Sequence, residues 1–375
     1  MELELSDDQQ ALQESVRAVL ERECPISLVR SVVEEHKHAE ELWSTMTELD
    51  WPALAVPETD GGLGLGFVEL AVVCEQLGRV LCPAPFLATA TQFVPAVLGA
   101  GSAEQRHRFL GAVADDGIVG TLAVAEAAGR YDAPGISTSA TPDGASFVLD
   151  GHKHFVFDAD VADEVVVAAR LPGSAGDEGI GLFVVPGAAL DVEPLTGLDA
   201  SRSYVTVVLD AVRVEDDRVL GEPGEAGPAL RGAVQEATVA LATEMVGTCQ
   251  TIFDIVHAYV KEREQFGVKV GSFQAIKHKL ANMYVSLESA RATTYFAAAT
   301  IAESDERRDV AVAMAKASVG DCQKLLTTEG IQCLGGIGYT WEHDMHLYVK
   351  RAKAGAALFG TGAEHLERLS HLLGL

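Results

Sequence analysis

Along the first stretch of the chain, Leu5, Leu12, Val16 and Val19-Leu20 recur at helical spacing behind the polar cluster Ser6-Asp7-Asp8, so a capped helix is expected there. A second helical pattern carries Leu42, Met46 and Leu49, a third runs from Val68 to Leu77, and a short one from Arg106 to Val113. The run Asp60-Gly61-Gly62-Leu63-Gly64-Leu65-Gly66 reads as a turn. It is not a phosphate loop, because no strand leads into it and no Gly-Lys-Ser/Thr closes it. Near Gly120 the period changes. Thr121–Ala125, Ala145–Leu149, His154–Phe157, Glu164–Ala169, Gly181–Val185 and Val205–Leu209 are short, rich in β-branched residues and separated by Gly, Pro and Asp. Six such segments predict a compact β barrel or sandwich. From Pro228 onward, apolar stretches over about 228–262, 273–302, 308–334 and 362–372 predict four helices packed as a bundle. The expected architecture is α+β and multidomain: N-terminal helices over 1–118, a middle β domain over 119–225, and a C-terminal four-helix bundle over 226–375.

Charge narrows the partners. The net charge of −27 repels phosphate backbones and anionic lipid, so neither nucleic acid nor membrane is expected as a partner. An anionic ligand would need a local cationic site. The start of the chain, with Glu2, Glu4, Asp7 and Asp8, lacks the basic and apolar regions of a secretory leader, and the expected location is cytoplasmic. The six cysteines (Cys24, Cys74, Cys82, Cys249, Cys322, Cys333) form no C-x-x-C pair and read as buried thiols.

The C-terminal part carries recognisable text: Arg263-Glu264-Gln265-Phe266-Gly267, then Phe273-Gln274, then Gln332-Cys333-Leu334-Gly335-Gly336-Ile337-Gly338-Tyr339. This set, in this order and within a helix–strand–helix layout, resembles the acyl-CoA dehydrogenase family across essentially the whole chain. The resemblance implies FAD as cofactor, an acyl-CoA thioester as substrate and an electron-accepting flavoprotein as redox partner. It also implies that Arg263, Phe266, Gln274, Gln332, Gly335 and Gly336 hold the adenosine end of a neighbouring subunit's FAD. A guanidinium suits a pyrophosphate, and side-chain-free glycines let a dinucleotide lie against their backbone.

Elsewhere the sequence departs from the family. Where T-E-P-x-x-G-S-D is usual, this chain has Ala125-Glu126-Ala127-Ala128-Gly129-Arg130-Tyr131-Asp132, and W-I-T is replaced by Phe155-Val156-Phe157. The family's base is a Glu that removes the α-proton while flavin N5 takes the β-hydride. Its E-G-T site reads Leu358-Phe359-Gly360-Thr361-Gly362-Ala363-Glu364, and its alternative helix position falls on Ala237. The catalytic residue is therefore unassigned, with Glu236 as fallback, although one residue turns about 100° around a helix. Glu244 resembles ordinary family text.

The resemblance then implies a subunit of the kind found in actinobacterial α2β2 acyl-CoA dehydrogenases, lacking its own Glu and completing a partner's FAD site. Such pairs are associated with fatty acid or steroid side-chain degradation. The alternatives are a self-sufficient homotetrameric acyl-CoA dehydrogenase with a displaced base such as Glu236, or a flavin monooxygenase-like family member. His343 and His346 lie in family text that binds no metal, and no metal site is expected. His152 and His154 alternate on one strand face and should be exposed, like His36 and His38.

Overall fold

The computed structural model describes residues 4–375; the acidic text at Glu2 lies outside them. In chain order the helices are α1 (Asp7–Glu23), α2 (Ile26–Glu35), α3 (Glu40–Glu48), α4 (Phe67–Arg79), α5 (Phe86–Ala88), α6 (Val94–Ala100) and α7 (Ala103–Gly111). The strands follow: β1 (Gly120–Ala123), β2 (Ser139–Pro142), β3 (Ser146–Phe157), β4 (Glu164–Arg170), β5 (Ile180–Pro186), β6 (Asp191–Pro194), β7 (Tyr204–Glu215) and β8 (Val219–Leu220). Then come α8 (Gly227–Glu262), the hairpin β9 (Glu264–Gln265) and β10 (Val268–Lys269), α9 (Gln274–Ala302), α10 (Arg308–Leu334), α11 (Met345–Ala357) and α12 (Gly362–Leu372).

The expected helix–strand–helix order is therefore present; α2, α5, α6, β2, β6 and β8 are additions to it, and two further readings change. The segments expected at Ala145–Leu149 and His154–Phe157 are one strand, β3, kept continuous by register shifts at Leu149/Gly151 and Lys153/Val156. Asp150-Gly151 is a kink within the strand, where Gly151 at φ +152 leaves room for Thr138. A fifth C-terminal helix, α11, joins the four expected.

The chain groups into two compact units. Among the described residues, the first comprises 4–37, 67–83 and 238–375; the second comprises 38–66 and 84–237. In the first unit, Ser6 caps α1 by accepting from the Gln9 amide, while the Gln9 side chain returns the bond to the Ser6 amide. Helices α4 and α8 meet backbone to backbone. A Cβ on Gly78 would lie 1.9 Å from the Glu244 carbonyl, and one on Gly247 1.9 Å from that of Glu75. Only glycine permits that approach, and the Thr248 hydroxyl donates to the Gly78 carbonyl across it. An 18-residue stretch of α8 is apolar enough to cross a membrane by composition, and 72% of it is buried inside the protein.

The second unit is built on one sheet in the order β6-β7-β3-β2-β4-β5-β8, with β1 parallel to β4. Alternate residues of β4 serve two cores. Val166 and Ala168 pack with Phe93, Phe109 and Leu230, whereas Val165 and Val167 pack with Phe147, Phe183 and Val207. Both faces are covered, so β4 reads as an unbroken apolar run. None of the six cysteines forms a disulfide, and all are buried.

Candidate functional site

The R-x-x-F-G text forms the turn that ends α8. The Arg263 amide still bonds to Tyr259, and the Arg263 carbonyl accepts from Val270, closing the small β9–β10 hairpin. Its two central residues, Phe266 and Gly267, both sit at positive φ (53° and 79°). A two-residue hairpin turn requires such geometry, and a phenylalanine there is strained. The result is a ring held 94% exposed at the apex. It meets the edge of Phe273 at 6.3 Å, just before Gln274 opens α9. The Arg263 guanidinium is exposed and has no hydrogen-bonding or ionic partner among the described residues.

Gln332 is exposed at the end of α10, which stops at Gly335, a residue held at φ 67°, ψ −143° where a side chain would be strained. Around Gly336, a Cβ would meet nothing within 4 Å. An ion pair between Lys279 of α9 and Glu329 of α10 ties the start of one helix to the end of the other. Gln274 and Gln332 thus belong to the same end of that helix pair. Lys261, Arg263, Lys269, Lys277 and Lys279 outnumber Glu262, Glu264 and Glu329 in these segments, with Lys269 paired to Glu264 and Lys279 to Glu329, in a chain of net charge −27. These residues fit the adenosine pyrophosphate end of FAD: open glycine backbone, an unpaired guanidinium and an exposed ring.

The other family positions are closed. Glu126 is buried and accepts from the Ser137 and Thr138 amides (3.0 and 2.8 Å), the Ser137 hydroxyl and the Lys153 ammonium (2.8 Å). Burial pushes its carboxyl up, but the Lys153 charge and these hydrogen bonds outweigh that and hold it at about 2. Lys153 is fully buried, and burial lowers its pKa to about 8 against the pull of Glu126. Glu126 is thus a structural carboxylate. Asp132 is occupied by Arg130 at 2.9 Å.

Phe155 lies in the second β3 bulge at φ 56° and is 44% exposed. Phe157 is 1% exposed, edge-on to Tyr204 at 5.3 Å, with the Arg202 guanidinium 5.1 Å above its ring. A buried ring offers no hydroxyl to a flavin, so this position does not fit the polar contact that the family makes there. On the outer side, His152 is exposed and stacks at 6.4 Å on His154, which is half-buried and bonded to the Thr206 hydroxyl.

The candidate base positions fare likewise. Phe359 is buried at φ 53°, and its carbonyl accepts from His365 Nε2 at 2.9 Å. The Lys316 ammonium, buried and lowered to about 8 by that burial, donates to the Gly355, Ala356 and Gly360 carbonyls and fixes this loop. The nearby carboxylate Glu364 is engaged in a capping box with Thr361, and those hydrogen bonds keep its pKa low. Ala237 is buried, and Glu236 beside it is half-buried and has a partner of its own. Glu244 pairs inside the first unit with Arg351, both 2% exposed. His346 meets Trp341 edge-on at 4.7 Å.

One feature escaped sequence reasoning. A cavity of about 420 Å³ opens between α10, α11 and the start of α12, with Gln323 and Lys324 in its wall.

Three sequence models match the chain in order: "Acyl-CoA dehydrogenase, N-terminal domain" over residues 6–117, the middle domain over 121–210 and the C-terminal domain over 229–372. The acyl-CoA dehydrogenase IpdE2 of Mycolicibacterium smegmatis is 29% identical over 97% of this chain and 98% of its own length. The short/branched chain specific acyl-CoA dehydrogenase of Bos taurus mitochondria is 30% identical over 83% of this chain and 73% of its own. Among solved structures, a variant of the Tcur3481–Tcur3483 steroid ACAD superposes with a TM-score of 0.86 at 28% identity, covering 98% of both chains.

Proposed function

The chain belongs to the acyl-CoA dehydrogenase family, and we propose that within it this protein is a half-site subunit. It serves α,β-desaturation of an acyl-CoA thioester by completing the FAD site of a second, base-bearing subunit in a heterotetramer. The observation that carries this reading is the lopsided state of the site. The clamp residues Arg263, Phe266, Gln274, Gln332, Gly335 and Gly336 stand exposed, while Phe157 is buried and Phe359 takes the place of the base.

In this assignment Arg263 donates to pyrophosphate oxygens, Phe266 lies against the adenosine end, and the Gly335-Gly336 backbone lets the dinucleotide approach. FAD supplies the hydride acceptor of the reaction when bound. The α-proton needs a carboxylate, which this chain offers at neither Phe359 nor Ala237, so the base comes from the partner. Electrons leave to an electron-accepting flavoprotein, and the setting is cytoplasmic. The likeness to a steroid ACAD solved as a named pair supports a bulky acyl substrate and a heteromeric assembly.

The test is expression with and without the partner. Produced alone, the chain should be colourless or insoluble; co-expressed, it should join a yellow complex that oxidises acyl-CoA. A yellow homotetramer that turns over acyl-CoA by itself would overturn the assignment. If Glu236→Gln then abolished turnover, the displaced-base alternative would stand in its place.

A further inference from the structure

We propose that His38, Asp160 and Ser203 form a proton-operated latch, closed while His38 is charged, that holds the β6–β7 connection over Phe157. The latch lies wholly within the second unit and rests on its packing alone, so the half-site reading survives its failure.

Three segments distant in sequence meet at one carboxylate. Asp160 lies on the turn between β3 and β4, just after Phe157. Its Oδ2 is 3.0 Å from His38 Nε2, which stands before α3, and its Oδ1 accepts from the Ser203 hydroxyl at 2.8 Å. Ser203 ends the β6–β7 connection, and its carbonyl accepts from the Asp158 amide at 3.3 Å. The residues on either side of Ser203 are the two that seal Phe157: Arg202 above the ring and Tyr204 against its edge. The cover is thus fastened at Ser203, and Ser203 is fastened through Asp160 to His38. Sequence pattern predicts His36 and His38 both exposed; His36 is, whereas His38 is half-buried.

A neutral imidazole holds a carboxylate by one ordinary hydrogen bond, and an imidazolium adds its charge. The groups that bear on His38 are Asp160 and Asp158 on the β3–β4 turn and Glu40 in α3, all acidic. The neighbouring cations Lys37 and Arg202 are turned to Glu35 and to the Phe157 ring. The hydrogen bond to Asp160 raises His38 above its ordinary value of 6.5, against a smaller opposing effect of burial. Burial pushes the Asp160 carboxyl up, but its hydrogen bonds with His38 and Ser203 outweigh that and keep it below the ordinary range. A raised histidine stabilises the closed state in full below its unfolded value and loses that contribution as pH rises through the folded one. The latch therefore opens toward alkaline pH. With 36% and 23% of the two side chains exposed, water screens the pair and keeps the effect modest.

The experiment is hydrogen–deuterium exchange of the intact complex, read by mass spectrometry as protection factors over residues 199–204 at about pH 5.5 and about pH 9, either side of a raised histidine. Slow exchange of the His38 ring C–H, followed across the same range, reads its pKa directly. Protection should fall by about fivefold from the lower pH to the higher, the scale of a partly exposed ion pair, and His38 should titrate above 6.5. His38→Gln should remove the pH dependence, and His38→Arg, which stays charged, should keep the protection at the higher pH. Ser203→Ala should lower protection at both. His152→Gln, an exposed histidine elsewhere on β3, should change nothing. Three results would overturn the inference: protection independent of pH in the unaltered protein, a pH dependence that persists in His38→Gln, or His38 titrating at or below 6.5. The first and third are read without any variant.

Discussion

The α8–α9 hairpin and the β3 bulge each place a phenylalanine at positive φ, yet the text around them has fared differently. At the hairpin, Phe266 points outward beside an unpaired guanidinium and open glycine backbone. At the bulge, Phe155 leads into Phe157, which is sealed under Arg202 and against Tyr204. Side chains kept exposed at a cost in strain suggest selection for contact with another molecule. Side chains folded into a core need no such partner. The difference teaches that one protein can display one aromatic ring and bury another beside equally strained backbone.

The comparison can be broken most forcefully at the Lys153–Glu126 pair. Lys153→Met leaves a carboxylate buried without its cation and should cost about 3–5 kcal/mol in chemical denaturation. Acid should do the same by titration. The Glu126 carboxyl is held at about 2, below its usual value, so its contribution is fully present above the unfolded pKa and is lost as pH falls from about 4.5 toward 2. A flat stability curve over that range would show that Glu126 is not held as described.

Next in size, Phe157→Ala should destabilise by about 3 kcal/mol through cavity formation, without making the isolated chain yellow. Flavin uptake by that variant would show that the buried ring alone excluded it. At the clamp, Arg263→Ala should leave stability unchanged and weaken FAD retention in the complex by about tenfold or more, read as flavin absorbance per protein after dialysis. The smallest change is Gly336→Ala. A methyl there meets nothing within the chain, so the Tm should not move, and any loss of flavin would come from the close approach of a ligand.

Much of this was legible in the sequence, for identifiable reasons. Helices with clear periodicity and caps, such as α1 behind Ser6, announce themselves. Strands rich in Val, such as β4 and β5, do so too. Helix α11 did not, because Lys350-Arg351-Ala352-Lys353-Ala354-Gly355 buries a charged residue, Arg351, where the pattern expects an apolar one. The split reading of β3 failed because Asp150-Gly151 is turn chemistry used within a bulged strand. Of the proposed site, the motif text named the residues, yet their exposure and strain are backbone facts that no spacing encodes. Gln323 carried no signal at all: on a helix a glutamine reads as surface, and only packing reveals it buried and unpaired.

The Phe266-Gly267 turn has a kinetic corollary. Hydrogen bonds on both sides close the hairpin, and its two left-handed residues leave few other conformations open. The aromatic group therefore meets an incoming molecule already aimed, the disorder of that segment having been surrendered during folding rather than at encounter. Capture at this corner should then proceed without a slow loop-closing phase.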